Sequence, residues 1–535
     1  MKICVVVGKT CAREWHRMLV ARLLEEGHDI ALFVSDVDAS LPAALSMTLT
    51  FERLVYGISG KSLIASIGSD EGELGALARV QEKSGLFDVV VRLDGAETNA
   101  PKGRRVVRPL FNGIPSEAGA LDAALDEREL AIAVEELARP DANSKAYAVE
   151  TELPAILSKT LNDACGRMID LLAWECESTP LRPGGALTSN SAGGNRAATS
   201  PARPIVLHAV TTLSRRLTRR LDTLARGGDR WAIAWRDAAR TPFDPSGGAT
   251  TIAYQRIADD GRRFLADPFP VVAHDHAWIF CEEYPYATGK GIISVIDLND
   301  PKMPARPVIE EPHHLSYPMI FIDGGQWWMI PEAGASNRIS LYRCEAFPHK
   351  WVRETVLIEN VAASDPTLYR DKRGYWLFFT LCAGSGSPSD RLCLFHSPSL
   401  RGPWAPCGAQ PLAIDPKTSR PAGHIIDARG TLYRPAQDCM RRYGGAMVWS
   451  RFTLPGDHPF SQVEVGTLRP RDGRALLGGH TYNRFGSIEA VDIFGAPRSD
   501  LVEFVYETTA VTRGSESGAA KQVIERCEEQ TYASN

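Results

Sequence analysis

Ala266-Asp267-Pro268-Phe269, Ser316-Tyr317-Pro318-Met319, Ser364-Asp365-Pro366-Thr367 and Arg420-Pro421-Ala422-Gly423 open four successive stretches of the chain in the same way. Their prolines are 50, 48 and 55 residues apart. An apolar run, a Gly or Asp turn and usually a second aromatic run follow each, as in Met319 to Ile322, Asp323-Gly324-Gly325 and Trp327-Trp328-Met329-Ile330. Strand-built repeats of this length predict a β-propeller. A weaker fifth repeat spans His480-Thr481-Tyr482-Asn483 to Ile488-Glu489-Ala490-Val491-Asp492, so five blades are expected. A propeller brings the start of each innermost strand to one central funnel, where function is then expected.

Before the repeats the pattern changes. Lys2 to Val7, Ile30 to Val34 and Phe87 to Leu93 are apolar runs rich in β-branched residues, and Trp15 to Leu24 and Leu153 to Trp174 carry helical periodicity. They predict an α/β domain with a parallel sheet over residues 1–177. GxGxxG and GxxxxGK[ST] are both absent, so no nucleotide fingerprint marks its turns. Residues 178–204 are rich in Ser, Gly, Ala and Pro and read as a flexible linker. The propeller is expected over 205–500, with Ile205-Val206-Leu207 and Trp231 to Trp235 as strands, and a polar tail over 501–535. Between those strands, Arg215, Arg216, Arg219 and Arg220 mark a basic amphipathic segment whose simplest reading is a solvated helix face.

With 535 residues, 44% hydrophobic and 23% charged, the chain has the composition of an ordinary multidomain globular protein. A net charge of -5 gives no general attraction for nucleic acid or an anionic membrane. No run of 18 apolar residues suggests a spanning helix. A cytoplasmic protein without an integral membrane segment is expected. Eleven scattered cysteines without a CxxC pair suggest neither a zinc site nor a disulfide framework, so no metal and no cofactor are assigned.

Within the repeats, Asp267 and Asp365 occupy equivalent positions, and Glu283, Glu332 and Asp438 end second strands. Paired carboxylates are what glycosidic bond cleavage needs, one as acid and one as base or nucleophile. Asp267, Asp365, Asp438 and Glu332 are the candidate catalytic groups. Glu283, Tyr317, Arg420, Arg434, Gln437, His480 and Asn483 are candidate substrate contacts, because sugar hydroxyls need many donors and acceptors and arginine can hold an anionic group. Trp327, Trp328, Trp351, Trp376 and Trp404 could stack on sugar faces, though each also fits propeller packing.

His314-Leu315-Ser316-Tyr317-Pro318, Ile330-Pro331-Glu332, Phe347-Pro348-His349-Lys350-Trp351, Asp365-Pro366-Thr367-Leu368, Leu400-Arg401-Gly402-Pro403-Trp404, Arg420-Pro421-Ala422-Gly423, Leu432-Tyr433-Arg434-Pro435-Ala436-Gln437-Asp438 and His480-Thr481-Tyr482-Asn483 closely resemble the N-terminal propeller domain of glucosamine inositolphosphorylceramide transferases. That domain is in turn similar to the five-bladed propellers of arabinanases, β-xylosidases and invertases. By this resemblance Asp267 stands at the first-blade carboxylate, whereas Tyr317 stands where an acid would follow the second-blade pattern. The exostosin-like glycosyltransferase domain of the transferases has no counterpart after the last repeat, so ceramide glycosylation is not implied. The first domain resembles, more weakly, a formyltransferase fold found beside this propeller in some bacterial proteins. Asn112 is its nearest match to the catalytic Asn, and no His lies between His28 and His208.

The resulting expectation is a carbohydrate-active bacterial protein of surface glycan or glycolipid metabolism that cleaves or transfers a glycosidic bond in the funnel. A noncatalytic sugar-binding module positioning a partner glycosyltransferase, and a formyl or acyl transferase acting on an amino sugar, are the alternatives.

Overall fold

The structure, a computed structural model, describes the chain except residues 11, 38–42, 59–60, 82–84, 96–99, 138–146, 150–154, 177–201, 226–229, 259, 274–275, 301–303, 382–386, 409, 457–458, 472–475, 496–498 and 510–535. Seven strands build the first unit: β1 (Lys2–Gly8), β2 (Asp29–Ser35), β3 (Ala78–Arg79), β4 (Phe87–Arg92), β5 (Gly103–Phe111), β6 (Leu130–Glu136) and β7 (Tyr147–Val149), in the order β3-β2-β1-β4-β5-β6-β7. From β3 to β5 the sheet is parallel. Its strands carry unbroken apolar runs such as Val5-Val6-Val7 because both faces are buried, the described helices packing on the side of Ile3, Val5 and Val7. β6 and β7 are antiparallel, so the sheet is mixed rather than all-parallel.

Helices α1 (Glu14–Glu25), α2 (Ala43–Tyr56), α3 (Gly72–Ala76), α4 (Ala118–Leu125), α5 (Leu157–Cys176) and α6 (Ala202–Ala225) complete this unit. The start of the long buried α5 is capped from another helix. Glu52 of α2 accepts the Leu157 and Ser158 backbone N–H groups at 3.1 and 2.7 Å, satisfying donors that a helix leaves free. Most of the expected linker, 178–201, lies outside the described residues, and 202–204 already belong to α6. Ile205-Val206-Leu207 is therefore helical, not a strand. Ile205, His208, Ala209 and Thr212 are buried at helical spacing, and α6 packs on α2 and α4. The chain up to Ala225 thus packs with the first unit rather than with the repeats.

The second unit begins with β8 (Arg230–Asp237) and β9 (Thr250–Arg256), followed by a sheet of β10 (Arg263–Ala273), β11 (His276–Pro285), β12 (Ile292–Asp297) and β13 (Arg306–Ile309). The next sheet holds β14 (Ser316–Asp323), β15 (Gln326–Glu332), β16 (Arg338–Ala346) and β17 (Lys350–Glu359). A third holds β18 (Ala363–Asp371), β19 (Gly374–Leu381), β20 (Arg391–Ser397), β21 (Ala405–Pro406) and β22 (Ala413–Ile414). The remaining strands are β23 (Ile426–Ala428), β24 (Thr431–Asp438), β25 (Ala446–Thr453), β26 (Ser461–Pro470), β27 (Leu476–Gly478), β28 (Tyr482–Phe485), β29 (Ile488–Gly495) and β30 (Leu501–Thr508). They join β8 and β9 in a ten-stranded sheet. All these pairings are antiparallel, and the arrangement is propeller-like.

The repeated prolines have a structural cause. Asp267, Tyr317 and Asp365 have φ of 51°, 44° and 50°, and the strand register breaks at each, between Ala266 and Phe269, Ser316 and Met319, and Ser364 and Thr367. Each is a bulge, and a proline with no N–H to donate is tolerated there. The bulge takes the side chain before the proline out of the ladder. The fifth repeat was weak in sequence because its outer strands come from elsewhere: β29 pairs with β8 from Ile488↔Asp237 to Gly495↔Arg230. β30 pairs with β9 and β26. The expected tail after 501 therefore begins as a strand, with Val502, Phe504 and Tyr506 alternating into the core.

Gly423, at φ 136°, lies where the fourth and fifth repeats approach. A Cβ there would stand 1.9 Å from the Tyr482 carbonyl oxygen. Gly423→Ala is expected to cost about 2 kcal/mol or more, read as a lowered urea midpoint.

Candidate functional site at the funnel mouth

The bulges bring three inner strands together through their side chains. Asp492, at the centre of β29, is fully buried and accepts four hydrogen bonds. The backbone N–H groups of His480 and Thr481 donate to Oδ1 at 2.7 and 3.0 Å, and that of Asp267 donates to Oδ2 at 3.1 Å. The fourth donor is the His480 ring, whose Nδ1 contacts Oδ2. Asp267 in turn accepts the Tyr317 N–H at 3.1 Å and the Thr481 hydroxyl at 2.7 Å. His480 Nε2 stands 3.8 Å from Asp267 Oδ1.

Burial pushes Asp267 up to about 6 against the pull of His480. Burial alone would lower His480, but the carboxylates of Asp492 and Asp267 outweigh it and hold the imidazole above its usual value. His480 and Asp267 therefore compete for protons near neutrality.

A second knot surrounds Asp365. Its backbone N–H donates to Glu332 at 2.9 Å, while its carboxylate accepts Arg420 Nε at 2.5 Å and Gln437 Nε2 at 2.7 Å. Burial raises Asp365 to about 7; Arg420 opposes the rise, and the neighbouring Glu332 carboxylate adds to it. Glu332, at the end of β15, is the member of this pair that reaches solvent, with a 16% exposed side chain.

Four groups at the mouth were missed in the sequence. Glu282 is buried, lies 3.3 Å from His314, and is driven well upward by burial and by the field of Asp267, Glu332, Asp492 and Asp365. Strand alternation could have found it, since Glu282 and Glu283 face opposite sides of β11. Asp492 was legible as the acid ending the fifth repeat. Tyr443 sits on the β24–β25 turn, 42% exposed, with its ring edge-on to His480 at 5.2 Å and the Arg420 guanidinium 4.9 Å from its centre. Trp231 of β8 stacks on His480 at 3.9 Å. Nothing local in the sequence marks these two aromatics as neighbours of the site.

Several expected residues lie away from this cluster. Glu283 faces Ser294 at 2.7 Å and pairs with Arg263. Arg434 donates to the carbonyl oxygens of Thr418 and Ser419, the latter at 2.7 Å, so it clamps backbone. Asn483 accepts the His424 N–H at 2.8 Å and donates to the Pro268 carbonyl at 2.9 Å, tying three inner strands together. Tyr317 is buried with its hydroxyl 2.7 Å from Thr367. Asp438 accepts the Met440 N–H at 3.1 Å and caps its own turn. Trp328, Trp351 and Trp376 are buried in blade packing, and Trp327 stacks on Phe347; Trp404 packs against the same core. In the first unit, Asn112 holds a turn by bonding Glu129 O and Ala131 N.

Asp267, His480 and Asp492 each offer a ligand atom within 4.8 Å of the others. They do not fit a cation well, because each Asp492 oxygen already takes two protein donors.

Asp365 carries a testable signature. Its folded pKa of about 7 lies above the unfolded value near 3.8, so its contribution is present at low pH and lost as pH rises toward 7. Between pH 5 and pH 8 the wild type should lose about 1–3 kcal/mol relative to Asp365→Asn, read from paired urea melts.

Residues 243–487 match the family model described as glucosamine inositolphosphorylceramide transferase 1, N-terminal. The matched span includes both carboxylate knots except Asp492, and it excludes Trp231 and the whole first unit. The relative of that name from Arabidopsis thaliana is 30% identical over 208 residues, 38% of this chain and 27% of its own length. The one from Oryza sativa subsp. japonica is 29% identical over 228 residues, 41% of this chain and 30% of its own length. The chain thus spans less than a third of these relatives. Among solved structures, an α-L-arabinofuranosidase from Podospora anserina in complex with cellotriose is 12% identical, covering 47% of this chain and 93% of its own, with a TM-score of 0.35. A thermostable family-43 glycoside hydrolase is 13% identical, covering 36% and 73%, with a TM-score of 0.29.

Proposed function

We propose that this chain binds a glycan or glycolipid headgroup at the mouth of a five-bladed propeller and cleaves or transfers its glycosidic bond there. The five blades are the three separate sheets, β23 to β26, and β28-β29-β8-β9. The observation that carries the reading is the Asp365–Glu332 pair: a buried aspartate, held by Arg420 and Gln437, whose backbone N–H donates at 2.9 Å to a glutamate that reaches solvent. Glu332 would give a proton to the leaving oxygen while water or an acceptor hydroxyl attacks the anomeric carbon and gives up its own proton to solvent, and Asp365, fixed by Arg420 and Gln437, would position Glu332 through its backbone N–H. Tyr443 offers a face for a sugar ring, and His314 and Arg420 offer donors for hydroxyls or an anionic group. The ligand class also follows the relatives, which are named for glucosamine and inositolphosphorylceramide.

A second reading is a sugar-binding module that positions a partner glycosyltransferase. It is favoured by the saturation of Asp267 and Asp492, whose oxygens already accept protein donors. Purified protein incubated with a panel of oligosaccharides and glycolipids, read by mass spectrometry for retained ligand and new product, separates the two. Under the first reading Glu332→Gln lowers turnover by about 10²-fold or more while ligand is retained; retention without product in the wild type establishes the second. Loss of neither ligand nor product in Glu332→Gln would remove the carboxyl pair from the chemistry. Tyr443→Ala should weaken retention about fivefold or more under both readings.

A further inference from the structure

Strand register gathers a second set of aromatic and charged side chains away from the funnel mouth. Trp278 stands four residues before Glu282 on β11, about 13 Å back along the strand, and so lies toward the opposite end of the sheet. It pairs with Asp297 of β12, and Val295 pairs with Arg306 of β13. Directly opposed residues share a face, and so do residues two apart. Trp278, Asp297, Val295 and Arg306 therefore project on one side of the β10–β13 sheet. His349, in the turn between β16 and β17 of the next sheet, meets the Trp278 ring edge-on at 6.2 Å. With Asp300 these groups line a cavity of about 170 Å³. One water needs roughly 15 Å³, and a pocket for a drug-sized ligand begins at about 300 Å³, so this one has room for a single ring.

We propose that this cavity is a second sugar-binding site, taking one neutral or amino sugar ring. Trp278 departs from its counterparts in the repeats. Trp328 and Trp376 are likewise the third residues of second strands, and both are buried and donate the indole N–H to the preceding turn, to Asp323 O at 3.2 Å and Asp371 Oδ1 at 3.0 Å. Trp278 is only half-buried and makes no such bond among the described residues. The charges beside it are unspent as well. Asp297 Oδ1 accepts the Asn299 N–H at 2.9 Å, but among the described residues Asp297, Asp300 and Arg306 form no ion pair, although all three line one cavity. Opposite charges that face a shared space without closing on each other leave acceptors and donors for a guest between them. A ring of hydroxyls, each able to give and take a hydrogen bond, completes that set, while the indole covers the apolar face of the ring. Two carboxylates against one guanidinium favour an amine on that ring and disfavour a carboxylate or phosphate.

The test is saturation-transfer NMR titration of the full chain with the methyl glycosides of glucose, galactose, mannose, glucosamine and glucuronic acid. At least one neutral or amino glycoside is expected to bind, more tightly than the glucuronide. That binding should persist in Tyr443→Ala, which weakens only the funnel, and fall about tenfold or more in Asp300→Ala/Arg306→Ala. Both positions of the double variant are exposed and its net charge is unchanged, and circular dichroism checks that it folds. No binding by any neutral or amino glycoside, equal binding by wild type and the double variant, or preference for the glucuronide overturns the proposal. So does binding that Tyr443→Ala abolishes, which would leave the funnel as the site of all sugar bound. The proposal stands apart from the chemistry at the mouth, since none of these cavity residues belongs to it.

Discussion

One buried carboxylate holds the ring at its seam. Asp492 takes donors from His480 and Thr481 on its own repeat and from Asp267, 225 residues earlier in the chain. It sits on β29, the strand that β8 joins from before the first repeat. Without those N–H groups an ionised carboxylate at zero exposure would be prohibitively costly. With them it locks first and fifth repeats at one spacing. The position of Asp267 follows from this closure, and so does that of Tyr317, whose N–H rests on Asp267.

The same economy of space sets the electrostatics. Asp267, Glu282, Asp365 and Asp492 are all buried around one axis, with Arg420 and His480 as the buried cations among them. Acids outnumber cations, so the cluster binds protons more readily than isolated carboxyls would. Burial first, and then the field of the neighbouring carboxylates, displaces Asp267, Glu282 and Asp365 upward, against the pull of His480 on Asp267 and of Arg420 on Asp365. Groups balanced near neutrality are suited to proton transfer, and they cost stability as they ionise. Arg420 restrains Asp365 by direct contact, and Glu332 is the member of that knot that reaches solvent.

The two units are joined by a buried ionic contact as well as by chain connection. Arg167 of α5 reaches Asp390, beyond β19, at 2.6 Å, with both side chains nearly inaccessible. Arg391 approaches Asp170 on the same helix at 3.6 Å. The first unit also meets the turn that carries Tyr443, since Glu127, Arg128 and Val149 share a small cavity with Met440 and Arg441. The mouth of the funnel is therefore bordered by a domain that lies outside the region matched by the transferase family.

Periodic signals were legible in the sequence because they report local backbone demands. An Asp-Pro or Tyr-Pro step recurs because each bulge holds a residue at positive φ beside a position where a proline without an N–H is tolerated, and this made the repeats legible and put Asp267 and Asp365 at equivalent positions. Apolar runs gave β1, β2 and β4. What the sequence could not give was decided by partners distant along the chain. The fifth repeat borrows β8 and β9, α6 turns back onto α2, and Val502, Phe504 and Tyr506 extend the sheet past the expected end. Side-chain roles divided in the same way. Glu282 and Glu283 are adjacent in sequence and chemically alike, yet alternation sends one to the funnel and the other to Arg263. Arg420 and Arg434 both follow from repeat logic, but only Arg420 meets a carboxylate, while Arg434 is spent on backbone carbonyls. Local residues fix where a strand starts and bends; which side chains then share a proton depends on how the ring closes.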